Sequence, residues 1–169
     1  MKRILIFLTM VLMPALMSAQ EGTGMYTKGY RADVQFGTVL STAHDISQPE
    51  YYLTTSQGYC FGNGLYLGGS AGLSLDTFQV NGRKNRIMIP VAAEIKYSFI
   101  NRLASPFIGL AAGGMFDCTA KGAGFMVRPA VGVDIWRFSI NVGVNYWKCS
   151  YTDGSFGNTG VYMGLSYNF

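Results

Sequence analysis

Hydrophobic side chains in this sequence recur at every second position, in segment after segment, and that period requires pleated strands rather than helices. Tyr30, Ala32, Val34, Phe36, Thr38 and Leu40 alternate with Arg31, Asp33, Gln35 and Gly37. Successive strand residues point to opposite sides, so this segment has one apolar and one polar face. A weaker strand covers residues 51–61, and Asn63-Gly64 then reads as a tight hairpin turn, because both residues tolerate positive φ. Leu65, Leu67, Gly69, Ala71, Leu73 and Leu75 face away from Tyr66, Gly68, Ser70, Gly72, Ser74 and Asp76 in a third strand. A fourth sets Ile87, Ile89, Val91, Ala93, Ile95, Tyr97 and Phe99 against Met88, Pro90, Ala92, Glu94, Lys96 and Ser98. The fifth, residues 107–116, carries Ile108, Leu110 and Ala112 on one face. The sixth opposes Phe125, Val127, Pro129, Val131, Val133 and Ile135 to Met126, Arg128, Ala130, Gly132 and Asp134. After a turn at Trp136-Arg137, Phe138, Ile140, Val142, Val144 and Tyr146 oppose Ser139, Asn141, Gly143, Asn145 and Trp147. The last strand runs Val161, Met163, Leu165, Tyr167 and Phe169 against Tyr162, Gly164, Ser166 and Asn168.

Eight strands are expected, and the connections between them alternate in length. Residues 41–50, 77–86, 117–123 and 148–158 read as long connections, while 62–64, 100–105 and 136–137 are short. Long and short ends therefore segregate to opposite rims of an all-β, antiparallel, up-and-down barrel, the arrangement of transmembrane barrels. Charge content supports the membrane: charged residues are 13% of the chain, about half the usual quarter. A soluble barrel would cover its exterior with Lys, Glu and Asp, whereas the second face here is Gly, Ser, Asn and Ala, which suits a confined lumen. None of the apolar faces carries a charge, which on a lipid face would cost about 2–4 kcal/mol for Arg or Lys at mid-bilayer. Hydrocarbon also leaves no water for unpaired backbone groups, so the eighth strand must pair with the first. Tyr97, Phe99, Phe107, Phe138, Tyr167 and Phe169 are placed in an aromatic girdle at the short-turn rim.

The chain begins Met1-Lys2-Arg3, followed by an apolar stretch at residues 4–16 and the small residues Ser18 and Ala19. That is the pattern of a secretory signal peptide, with residues 1–19 removed and residues 20–169 forming one barrel domain. The stretch is too short to cross a bilayer, and Pro14 interrupts it. Cleavage removes Lys2 and Arg3 and lowers the net charge from +4 to +2. The remaining basic residues are scattered, which argues against a nucleic-acid binder; the one cluster, Arg83-Lys84-Arg86, reads as a solvated loop.

With signal peptide, strand pattern and an aromatic terminus in place, the whole mature chain resembles the small eight-stranded outer-membrane barrels of the OmpA and OmpX type. The resemblance implies a bacterial outer-membrane location, reached by export through the periplasm, and contact with outer-membrane lipids and lipopolysaccharide. It also implies that Val161, Met163, Leu165, Tyr167 and Phe169 form a C-terminal insertion signal read by the barrel-assembly machinery. No peptidoglycan-binding domain follows, so that role of larger relatives is not expected.

An eight-stranded barrel is just wide enough for side chains to fill it. Arg31, Asp33, Glu94, Lys96, Arg128 and Asp134 all face inward and form a candidate lumen charge network, closing the interior by pairing rather than lining an ion path. Cys118 and Cys149 fall in neighbouring long connections and would form a loop disulfide if their Cα atoms lie within about 7 Å. His44 is the single histidine, with Ser41, Asp45 and Ser47 beside it. A Ser-His-acid site is one reading of that loop and a solvated connection the plainer one. No cofactor motif or metal-ligand cluster is present in the sequence: Gly62, Gly64 and Gly68 lack the dinucleotide spacing, and one His with three separated Cys makes no zinc set. The expected function is non-enzymatic, a structural or surface-interaction barrel for adhesion or envelope integrity; a lipid-modifying enzyme or narrow channel is the alternative. Tyr51, Tyr52, Tyr151 and Phe156 are read as an adhesive rim or an outer aromatic belt.

Overall fold

The computed structural model describes residues 27–41, 49–77, 85–152 and 154–169. Eight strands follow one another: β1 (Gly29–Ser41), β2 (Glu50–Cys60), β3 (Leu65–Asp76), β4 (Arg86–Ser98), β5 (Ala104–Asp117), β6 (Gly122–Ile135), β7 (Phe138–Tyr151) and β8 (Gly154–Asn168). Each pairs antiparallel with its neighbours, and β1 pairs with β8 from Asp33 opposite Asn168 to Ser41 opposite Gly160, so the sheet closes. The Phe169 amide extends that seam by donating to the Ala32 carbonyl at 2.9 Å. No open edge is left along this seam, as a chain crossing hydrocarbon requires.

The period-two pattern sorts the side chains as expected. Phe36, Ile108, Val131, Ile140 and Leu165, each more than half exposed, belong to an outward apolar belt, while the intervening positions fill the lumen. The lumen is therefore the polar part of the molecule and the exterior the apolar part, the reverse of a soluble barrel.

Several local expectations are corrected. The third and fourth of the expected long connections are short, residues 118–121 and 152–153, because β5 to β8 extend further than the apolar alternation showed. Their outer ends keep strand pairing through Phe125 opposite Lys148 and Ser150 opposite Ser155, but outward residues there are polar and hide the period. Cys149 is consequently a buried strand residue facing inward and Cys118 an exposed turn residue; both are free thiols, and the expected loop disulfide is not formed. Arg86 is not in a solvated loop but opens β4, fully buried in the lumen. Phe107 also faces inward, because it shares the parity of Ser105 and Gly109, and leaves the girdle to Tyr97, Phe99, Phe138, Tyr167 and Phe169. Tyr52 is buried in the lumen, and Tyr151 and Phe156 pack against the buried cluster there rather than on the rim.

The connection after β2 is also longer than a two-residue hairpin. Residues 61–64 form it, with positive φ at Gly62 (80°) and Gly64 (88°) rather than at Asn63. Asn63 acts through its side chain, whose Oδ1 accepts from the Leu65 amide at 3.1 Å. The expected signal peptide and the stretches holding His44, Asp45 and Ser47 and holding Arg83 and Lys84 lie outside the described residues.

Candidate functional site in the lumen

Inward side chains pack the lumen in three tiers. The first lies toward the short-turn rim and centres on Asp134, whose side chain is fully shielded. It receives Lys96 Nζ at 2.7 Å, Arg31 at 3.5 Å and the Ser139 hydroxyl at 2.5 Å. Arg31 also donates to Asn168 Oδ1 at 2.7 Å, and Asn168 Nδ2 donates to Ser139 Oγ at 2.9 Å, so the Asp134 carboxylate ties β1, β4 and β7 to its own β6, and Asn168 adds β8. Glu94 accepts from Ser56 Oγ at 2.7 Å, and the same hydroxyl lies 2.7 Å from the Tyr66 hydroxyl. Lys96 sits 3.8 Å from the centre of the Phe107 ring, which shields its ammonium from the axis of the barrel. Asp33, Glu94, Lys96, Arg128 and Asn141 border a cavity of about 70 Å³, room for roughly two waters at liquid density.

The middle tier is built on Arg128. Its guanidinium carbon lies 4.8 Å from the Tyr52 ring centre and 4.6 Å from that of Tyr162, and the two rings stack 5.0 Å apart. Arg128 Nε donates to Asn145 Oδ1 at 3.3 Å, and the Tyr52 hydroxyl donates over β1 to the Met163 carbonyl of β8 at 3.0 Å. Gly37 makes room for this: a Cβ there would collide with the Tyr52 hydroxyl.

The third tier closes the other end. Arg86 pairs with Asp76, lies 3.5 Å from Asp117 and donates to the Tyr151 hydroxyl at 3.1 Å. That hydroxyl donates in turn to Asp117 Oδ2 at 3.1 Å, and Asp117 Oδ1 accepts the Thr119 and Ala120 amides of the turn at 2.8 Å each. Below it the Trp147 indole donates to Glu50 Oε2 at 3.1 Å, and Ser74 donates to the other carboxylate oxygen. The Arg86 guanidinium is 4.9 Å from the centre of the Phe156 ring and 5.3 Å from that of Trp147.

Of the six expected network residues, the structure joins Arg31, Lys96 and Asp134 directly. Asp33 and Glu94 lie beside them at the cavity, and Arg128 belongs to its own tier. Asp76 and Trp147 stand on inward faces of the sequence pattern, but Glu50, Tyr52, Arg86 and Asp117 were not placed in the lumen. Parity was the available signal, since Arg86 is two residues before Met88 and Glu50 two before Tyr52.

No family model matches the chain, and no curated protein sequence does either. Solved structures do. The outer membrane enzyme PagL aligns with a TM-score of 0.61 at 15% identity, covering 80% of this chain and 98% of that one. Neisserial surface protein A aligns with a TM-score of 0.51 at 14% identity, over 88% of this chain and all of that one. Its fold is that of a small outer-membrane β-barrel. Such barrels keep short turns on the periplasmic side and longer loops outside; by that convention the Asp134 tier, at the rim of residues 61–64, 99–103 and 136–137, is called periplasmic, and the Arg86 tier, at the rim of the longer connections 42–49 and 77–85, external. Identities this low carry the fold and nothing of either protein's activity.

Of the Ser-His-acid residues, only Ser41 lies among the described residues. Ser41, at the external end of β1, is buried and donates to Asn158 Oδ1 at 2.6 Å. Among the described residues, no group of three or more His, Cys, Asp or Glu stands ready to hold a metal ion. What the lumen side chains do is tie the strands of the barrel together across its interior.

Proposed function

We propose that the protein is a non-enzymatic structural or surface-interaction barrel of the bacterial outer membrane, serving adhesion or envelope integrity, with a lumen closed by its own side chains. The supporting observation is the three successive tiers, each crossing the lumen with paired or ring-stacked cations. A conducting pore would need a continuous wet path, whereas Asp134, Arg128 and Arg86 each meet partners on other strands at different depths. The purified barrel in a planar bilayer is therefore expected to show no steady openings at moderate voltage. Large, sustained single-channel steps would overturn the reading.

The belt of exposed apolar side chains is the surface offered to outer-membrane lipids and lipopolysaccharide, and the outward row Val161, Met163, Leu165, Tyr167 and Phe169 is the segment offered to the assembly machinery. Tyr167 and Phe169 form an edge-on ring pair with centres 5.1 Å apart at the periplasmic rim. Deleting Phe169 removes one ring pair and the amide bond to Ala32, each worth about 0.5–1.5 kcal/mol, so refolded protein should lose no more than about 3 kcal/mol in equilibrium unfolding. Membrane assembly in cells, read as the folded fraction in outer-membrane extracts, should fall several-fold. Normal assembly of the truncated chain would reject the signal.

A further inference from the structure

The external half of the lumen contains something its ion pairs do not use: four sulfur atoms in one cluster. Met88, Met115, Met126 and Cys149 are all almost completely buried, and they pack together with Trp147. They come from four consecutive strands, β4 to β7, so the barrel wall curves them toward one another. Strand register explains the convergence. Gly124 stands opposite both Met115 on β5 and Cys149 on β7, and Gly113 stands opposite Met126. Two glycines thus leave the inner wall bare where the sulfur side chains meet. The Cys149 thiol reaches over Gly124 toward the Met115 carbonyl, 3.6 Å away, which places the thiol within the methionine group.

From this geometry we propose a binding site for a soft, monovalent d¹⁰ cation, Cu(I) or Ag(I), held by Cys149 with thioether donors from Met88, Met115 and Met126. Thioether and thiolate sulfur select such ions over Zn(II), Mg(II) or Ca(II), which favour nitrogen or oxygen. Trp147 supplies an aromatic wall against which a cation is stabilised. The charge arithmetic suits a buried location. Binding breaks the S–H bond of Cys149, forms an S–metal bond and releases one proton to solvent, with no change in oxidation state. A +1 ion replaces a +1 proton, so the lumen's net charge is unchanged. Toward the mouth, Asp76 and Asp117 flank Arg86 and Glu50 lies below them, acidic groups that favour cation entry. Close methionine packing is also how cores fill irregular gaps; the two uses differ in what happens when the ion is offered.

The test uses the full barrel in detergent with Cys60→Ser, Cys118→Ser and Trp136→Phe, which leaves Cys149 as the one thiol and Trp147 as the one indole. Ag(I) as nitrate should bind at one equivalent and quench Trp147 fluorescence. The same protein should take Cu(I) from its bicinchoninate complex under ascorbate, and Zn(II) should not displace either ion. Adding Cys149→Ser should weaken Ag(I) binding about 100-fold and Met126→Leu about 10-fold. Should Cys149→Ser fail to fold, the volume-conserving triple change Met88→Leu, Met115→Leu and Met126→Leu gives the same comparison, with a loss of at least about 100-fold expected. Absence of Ag(I) binding, equal binding by these variants, or equal uptake of Zn(II) would each overturn the site and leave the cluster as packing alone.

Discussion

Arg86→Met is expected to lower the unfolding free energy of the barrel by about 3–5 kcal/mol, the cost typical of breaking a buried ion pair from one side. The guanidinium is almost wholly buried between Asp76 and Asp117, and both carboxylates are shielded from solvent. Methionine fills much the same volume, so the loss is electrostatic rather than a cavity. Asp117 keeps the Thr119 and Ala120 amides and the Tyr151 hydroxyl, and Asp76, directly opposite Arg86 in the register of β3 and β4, loses its paired cation. The double change Arg86→Met with Asp76→Asn should therefore recover at least half of the loss, because removing both partners spares the uncompensated charge. Denaturant unfolding of refolded protein in detergent, followed by tryptophan fluorescence, measures both. A single-variant loss below about 1 kcal/mol, the scale of an exposed pair, would show that Arg86 is solvated.

The barrel was legible in the sequence because its two environments impose opposite polarity on alternate residues. Lipid demands apolar side chains at Ile87, Ile89, Val91 and Ile95, the lumen accepts Glu94 and Lys96 between them, and no other architecture is consistent with both. The same argument explains where reading failed. Above the lipid the exterior is wet, so Lys148, Ser150 and Ser155 carry no apolar signal and β7 and β8 looked shorter than they are. Phe107 was misplaced for the converse reason: an aromatic near a rim fits a girdle or the lumen equally well, and only its parity with Ser105 and Gly109 decides. Arg86 was hidden by its neighbours in sequence, Arg83 and Lys84, which make a basic run although Arg86 alone enters the strand. The periplasmic tier was legible as a group, since Arg31, Asp33, Glu94, Lys96 and Asp134 share both parity and depth. Which of them pair was not, because cross-lumen partners such as Arg31 and Asp134 come from strands remote in sequence.

Redundancy among the tiers separates stability from closure, and Trp147→Ala exposes the difference. Trp147 has no exposed surface; its indole donates to Glu50 at 3.1 Å, and its ring packs 5.7 Å from that of Phe156. Truncation opens a large cavity, about 3–5 kcal/mol for an aromatic-to-alanine change, and withdraws a donor from a buried carboxylate, roughly 1–3 kcal/mol more. Trp147→Phe retains most of the ring volume but not the N–H, so its cost should approach the hydrogen-bond share alone. Because the variants alter the reporter fluorophore, unfolding is better read from the gel shift between folded and denatured barrel across a denaturant series. Yet Trp147→Ala should remain non-conducting in planar bilayers. Arg128, clasped by Tyr52 and Tyr162, and Asp134, tied to Lys96 and Arg31, still obstruct the lumen nearer the periplasm. Steady openings in Trp147→Ala would mean that the external tier is the true barrier, and that the two tiers beneath it leave a path for ions.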